Sequence, residues 1–335
     1  MKNLTLIVLA AFFLTFPAAA QTDVEPIVKR AQNLGSREKP EAAIAEINKA
    51  IAIEPQNPDL YLRRAEFYFI SQNKPEILKD ARKATALAPT DKQVLYRAAL
   101  VLFRSQQYQE ALKISDELMA LGDVDHSGWS VRIQIKTHLE DFFGAFEDAS
   151  TAVELFPENI YFKQNQANLV RLMGDSDKAL EMFDALVAAS EKKLAAAKND
   201  NEKITAKRAL SMFLFSRAHL NFKQLSKELG LADLIKAVDY LPEGPSYFQR
   251  GRMYRELKMF PEALADFTTI IEGKLKFDKW AVYIDRGDVY YSMQKYAEAV
   301  ADYETAAKNN ESVREFMEKR ISLAKQKMAE LNQMK

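Results

Sequence analysis

The chain contains no cysteine, which excludes disulfides, thiolate metal ligands, cysteine nucleophiles and the lipid-bearing cysteine of a lipoprotein anchor. Ten glycines and eleven prolines in 335 residues are too few for the turn-rich connections of an all-β sandwich or barrel. Charge of one sign is also lacking, because 47 basic side chains balance 47 acidic ones. No overall field therefore draws the chain toward nucleic acid or an anionic membrane. Histidine is scarce: His126, His138 and His219 stand alone, without metal-site spacing. Glycine-rich phosphate loops, GxSxG elbows and Cys/His pairs are missing, so no catalytic constellation and no cofactor is implied. Asp285 and Asp288 stand at i, i+3, but with no further carboxylate in register they read as a solvated face. The aromatic residues follow a core period, and nucleic-acid binding has little support.

The only long apolar run is at the start. Lys2, the apolar stretch Leu4–Phe16 and the small residues Ala18, Ala19 and Ala20 before Gln21 read as a signal peptide over residues 1–20. Its 13 apolar-region residues fall short of the about 20 that span a bilayer as a helix. The pattern predicts cleavage near Ala20/Gln21 and an exported, periplasmic or secreted protein. Removal of Lys2 with this segment leaves one more acid than base.

What the sequence has instead is a period. In Tyr247–Ile271, Tyr247, Gly251 and Tyr254 form one stripe of a first helix, and Ala263, Phe267 and Ile270 one stripe of a second. Pro261 falls in the first turn of that second helix, where a missing N–H is harmless. Tyr283, Gly287, Tyr290, Ala299, Tyr303 and Ala306 repeat the frame. This pattern resembles the tetratricopeptide repeat, a 34-residue helix–turn–helix family. With the residue three before Tyr247 as position 1, five repeats fill 24–193 at 34-residue spacing and three fill 211–313. Between them lies 194–210, rich in Ala and Lys around Asn199-Asp200-Asn201, read as a lengthened helix, a turn and an early start of the next helix. Residues 314–335 read as a charged amphipathic helix covering the last repeat. The resemblance implies an all-α fold, a right-handed superhelical α-solenoid of about eight repeats. Repeat 5 fits most loosely, with Lys163 at position 4 where the other repeats carry apolar residues.

Position 7 is arginine in six repeats and position 23 is acidic in the same six. The pairs are Arg30 with Glu46, Arg64 with Asp80, Arg132 with Asp148, Arg217 with Asp233, Arg250 with Asp266 and Arg286 with Asp302. Repeats 3 and 5 lack both members, which predicts a strut between the two helices rather than a row of ligand arginines.

By helical periodicity, positions 2, 5, 6, 9, 12 and 13 of the first helix lie opposite its core stripe. The resemblance implies that this face lines a concave groove that binds extended peptides or partner helices. Candidate groove residues are Lys29, Arg63, Arg97 and Arg104, then Asn165, Asn168 and Arg171, with the rings of Phe69, Phe103, Phe222 and Phe248. His219 also falls on this face and reads as a polar wall residue. The family's clamp for carboxy-terminal carboxylates uses Lys and Asn at positions 5 and 9 of its first repeat; Val28 and Gln32 stand there, so that activity is not carried over. The expected partner is a protein or peptide segment, acidic or carboxylate-bearing at the amino-terminal half, where Lys29, Arg63 and Arg97 would position it. A structural subunit of an envelope or secretion assembly, using the convex face and 194–210, is the alternative reading, and an enzyme or small-ligand receptor a third.

Overall fold

The computed structural model describes residues 23–36, 39–273 and 275–333, so the expected signal peptide lies outside the described residues. Among the described residues there are seventeen α-helices and no strand. The chain is an all-α repeat solenoid and divides into two compact units after Asp141. The first unit holds α1 (Glu25–Gly35), α2 (Pro40–Ile53), α3 (Pro58–Ile70), α4 (Lys74–Leu87), α5 (Lys92–Arg104), α6 (Tyr108–Ala120) and α7 (His126–His138). The second holds α8 (Phe142–Leu155), α9 (Ile160–Leu172), α10 (Ser176–Ala196), α11 (Asp200–Gln224), α12 (Lys227–Tyr240) and α13 (Gly244–Glu256). It continues through α14 (Phe260–Glu272), α15 (Lys279–Ser292), α16 (Tyr296–Asn309) and α17 (Arg314–Gln333).

Local chemistry sets the helix ends. Asn57, Asp91, Asp125 and Asn159 precede first helices, and each side chain accepts from the free backbone N–H of a residue two positions on. Six of the first helices stop in a left-handed residue at position 15: Gln72, Gln106, Glu140, Lys258 and Gln294 have φ between 56° and 63°, and Gly174 has φ 95°. The helix α11 instead ends at Leu225 with φ −109°. The following N–H reaches back five residues, as from Gln107 to Leu102 O at 2.9 Å and Met259 to Tyr254 O at 2.8 Å. This six-to-one bond satisfies a carbonyl that the helix leaves open and reverses the chain. Only Gly174 uses the residue that adopts this conformation without strain. Lys258→Gly is therefore expected to raise the denaturation midpoint, by up to about 1 kcal/mol of stability after the entropy that glycine adds to the unfolded chain. An unchanged or lower midpoint would show that the turn is not strained.

The small and large apolar positions interlock as the period requires. In the first unit Ala65, Ile77, Ala81, Leu95, Ala99, Leu102 and Ala111 are buried in one cluster. In the second, Ala167, Ala179 and Phe183 form one cluster, and Ala263, Phe267 and Ile270 another. A fully buried side chain such as Leu95 or Phe267 contributes about 1.5–3 kcal/mol. Met317 of α17 is wholly buried against Ala299, Tyr303 and Ala306, so α17 covers an apolar surface that α15 and α16 would otherwise expose. First helices also touch each other, α3 with α5 and α5 with α7 in one unit, α9 with α11 and α13 with α15 in the other. They form the inner layer of each unit. Its face away from the second helices is where another molecule can lie.

Candidate binding surface on the first helices

Position 7 is occupied by bonds within the solenoid. Arg64 donates through Nε and Nη2 to both oxygens of Asp80 at 2.8 and 2.6 Å. Arg217 grips Asp233 at 2.9 and 2.7 Å, Arg250 grips Asp266 at 2.8 and 2.7 Å, and Arg286 grips Asp302 at 2.8 and 2.8 Å. Arg30 makes a single, more exposed contact to Glu46 at 3.3 Å. Arg132 and Asp148 belong to different units; within its own, Arg132 donates to Asp116 at 3.0 Å. Burial pushes the Asp80 and Asp266 carboxyls up against the pull of their arginines, while the same bonds hold Arg64 and Arg250 more firmly protonated.

A third helix joins this arrangement, at a position the sequence reading did not single out. Arg64 Nη1 donates to Asn48 at 2.7 Å, Arg217 Nη1 to Asp184 at 2.8 Å and Arg286 Nη1 to Thr268 at 3.2 Å. Asn48, Asp184 and Thr268 all occupy position 25 of the preceding repeat, as does Asp116. In repeat 5, where Gln166 replaces the arginine, its amide donates to Ser150, again at position 25, at 3.0 Å. In repeats 2, 6 and 8 the position-7 arginine thus links its own two helices to the repeat before it.

The inner face of the first unit is a mixed ionic network rather than a free basic ladder. Arg63 Nε lies 2.5 Å from Asp59, and Arg97 bonds both Asp59 and, at 2.9 Å, Glu66. Burial alone would raise the Asp59 carboxyl, but bonds from Arg63 and Arg97 more than offset it and hold it below its ordinary range. Lys29 is exposed, 3.9 Å from Glu25. Arg104 and Phe69 are exposed, whereas Phe103 is half-buried against Tyr108 and His138, with ring centroids 5.8 and 5.3 Å away. An anionic ligand at Arg63 or Arg97 would have to displace the chain's own carboxylates.

The second unit differs. Gln164, Asn168 and Arg171 of α9, Ser176 of α10, and Phe215, Ser216, His219, Leu220 and Lys223 of α11 enclose a recess of about 430 Å³. Its lining contains no carboxylate. Gln164 Nε2 donates to Ser216 Oγ at 2.8 Å, tying the two helices together. His219 Nδ1 donates to Phe215 O at 3.0 Å, which fixes the ring against α11. Arg171 and Lys223 are exposed and make no ion pair with a described residue. Asn165 is half-buried on α9, just outside this lining. The expected Asn168 and Arg171 are therefore joined by Gln164, Ser216, Lys223 and His219, the last already expected as a polar wall residue of this face. All four stand at inner-face positions, but the 51-residue offset between repeats 5 and 6 separates α9 from α11 in sequence.

Two expectations are corrected. Phe248 is not an exposed groove ring: it is 8% exposed and packs on Phe267 and Phe277, with centroids 6.0 and 4.7 Å away. Phe222 is half-buried beneath the Lys227 ammonium, 5.4 Å from its centroid. Asp285 and Asp288 are not a solvated face. Arg255 Nη1 lies 2.5 Å from Asp285 and 3.2 Å from Asp288, Arg320 of α17 pairs with Asp288, and Tyr303 donates to Asp288 at 2.7 Å. Burial pushes the Asp285 carboxyl and the Tyr303 hydroxyl up. The cluster ties α13, α15, α16 and α17 together.

Residues 281–313 match the family model described as Tetratricopeptide repeat. None of the curated proteins compared matches the chain. Among solved structures, a tetratricopeptide repeat protein from Parabacteroides merdae is similar at 15% identity, over 90% of this chain and 98% of that one, with a TM-score of 0.48. The APC/C hetero-tetramer Cut9-Hcn1 is similar at 14% identity, over 91% of this chain and 56% of that one, with a TM-score of 0.50. YrrB, a TPR protein with an unusual peptide-binding site, shares 20% identity over 60% of this chain and 94% of its own, with a TM-score of 0.39. At 14% identity the likeness to the Cut9-Hcn1 structure is one of fold alone.

Proposed function

We propose that this tetratricopeptide-repeat solenoid is an exported, non-enzymatic scaffold that holds a partner protein by a segment bearing acidic side chains, seated between α9 and α11. One observation supports this reading above the others. The recess offers Arg171, Lys223 and His219 with amide and hydroxyl groups and no lining carboxylate, while Arg63, Arg97, Arg252 and Arg255 are already paired within the chain. Arg171 presents a planar fork suited to a carboxylate, and Lys223 a mobile point charge. Gln164 and Asn168 supply amides for the backbone of an extended segment, and Phe215 an apolar floor. A hydrogen bond to a charged group is worth about 1.5–3 kcal/mol when water is excluded, but an exposed ion pair only about 0–1 kcal/mol. The segment must therefore enter the recess rather than lie across its mouth. The signal-peptide pattern of residues 1–20 supports export, and with it a partner met in the exported compartment.

The test is titration of fluorescently labelled ten-residue peptides that are acidic, neutral or basic. The acidic peptide is expected to bind best, with affinity that falls as salt rises. Arg171→Glu with Lys223→Glu should weaken it at least about tenfold, the scale of one lost charge-assisted contact. Arg63→Glu should leave it unchanged. Equal binding of all three peptides, or binding indifferent to the double reversal, would reject this reading.

A further inference from the structure

A second cavity lies where the regular repeat is interrupted, and it has the opposite chemistry. The lengthened ends of α10 and α11 meet the start of α9 around a space of about 490 Å³. That lies within the roughly 300–1,000 Å³ usual for small-molecule sites. Its walls are mainly apolar, formed by Ile160, Leu186, Ala189, Ala206, Ala209 and Phe213. It shares no residue with the polar recess between α9 and α11.

Four charged side chains also line it: Glu158, Lys163, Lys193 and Glu202. Three are already engaged. Lys193 Nζ donates to Glu158 at 2.9 Å and holds the Glu158 carboxyl below its ordinary range. Glu202 accepts from the Lys198 backbone N–H at 2.7 Å and from the Asn199 amide at 2.8 Å, closing the turn that starts α11. Lys163, near enough to Glu158 to add to that lowering, has no hydrogen bond or ion pair to a described residue. It is half-buried, at the repeat position that is apolar in the seven other repeats: Ile27, Tyr61, Leu95, Trp129, Leu214, Tyr247 and Tyr283. An ammonium with no hydrogen bond or ion pair to a described residue, at an otherwise apolar repeat position and lining an apolar cavity, complements an anion attached to a hydrocarbon chain.

We propose that the cavity between α9, α10 and α11 binds a single-chain amphipathic anion, with its hydrocarbon chain against Ile160, Leu186, Ala206 and Phe213 and its head group at Lys163. The inference stands apart from the acidic-segment reading, since different residues carry it. The shared chemistry is an acyl or alkyl chain ending in a carboxylate or phosphate, and the source is either a free fatty acid or a lysolipid.

The test is calorimetric titration of the full chain with dodecanoate and, separately, with lauroyl lysophosphatidic acid, each below its micelle concentration. One equivalent of at least one of the two is expected to bind, and which one identifies the source. Lys163→Met should weaken that binding about tenfold while leaving dodecanol binding unchanged, because only the anion uses the ammonium. Ala189→Phe, made at an exposed wall residue so that the core is left intact, should block anion and alcohol alike. Binding of neither anion, or binding of either that is unaltered by both substitutions, would overturn the proposal. An occupant such as a partner's apolar helix would produce the first of these results.

Discussion

Gly230→Ala should destabilise the protein by about 1–3 kcal/mol, although in an isolated helix the same change would add about 1 kcal/mol. The sign is decided by what surrounds the site. Gly230 lies in the first turn of α12, where a Cβ would stand 2.6 Å from Phe222 Cβ, 2.7 Å from Ala218 O and 2.9 Å from Phe222 N. Two of these neighbours are backbone atoms of α11, which cannot turn aside as a side chain can. At Gly251 the obstruction is the Phe267 ring, 2.7 Å away at its nearest atom, which can tilt. Relief at Gly230 requires α12 to withdraw from α11, stretching the bonds by which Arg217 and Asn221 hold Asp233. Chemical denaturation of the two alanine variants measures the contrast, with Gly230→Ala expected to lose more than Gly251→Ala. Because α11 forms one wall of the polar recess, acidic-peptide affinity should fall along with stability. A gain in stability would show that the two backbones do not approach this closely.

The close approach was legible only in part. The period of small and aromatic residues led directly to paired helices and to the all-α repeat solenoid, because each repeated position does the same packing work. Alanine and glycine at positions 8 and 20 were visible too, but which backbone they touch was not. The turn at position 15 left no signal, since Gln72, Gln106, Glu140, Lys258 and Gln294 take a left-handed conformation that side-chain identity does not announce. The partners at position 25 were hidden for a related reason: Asn48, Asp116, Ser150, Asp184 and Thr268 share hydrogen-bonding capacity but not residue type. On the inner face, residue type showed which side chains are charged, whereas pairing decides which are free. Arg63 and Arg171 read alike in sequence, yet Arg63 lies beside Asp59 and Arg171 has no such neighbour. Lys163 carried the reverse lesson. A misfit in an otherwise regular pattern drew attention to the cavity whose walls come from the lengthened α10 and α11.

Arg217→Ala should be the costliest change among the repeated arginines, at about 3–5 kcal/mol, against about 0–1 kcal/mol for Arg30→Ala. Both occupy position 7, so residue type and register predict equal effects. Environment separates them. Asp233 is 5% exposed and takes two bonds from Arg217 and one from Asn221 at 2.8 Å. Deleting the guanidinium leaves a buried carboxylate with one neutral donor and also releases Asp184 on α10. In repeat 1 the Arg30 side chain is 59% exposed, and Glu46 retains Lys49 as a second cation. Replacing both members of the inner pair, as in Arg217→Met with Asp233→Leu, should recover most of the loss, because no buried charge then lacks a counterion. Asn221 would be left without its acceptor, so recovery should stop short of full by about 1 kcal/mol, and Asn221→Leu added to the pair should close that gap. Denaturant midpoints of the four variants separate the contributions. Equal losses for Arg30→Ala and Arg217→Ala would mean that the repeated pair acts through its shared register alone and that burial does not set its strength.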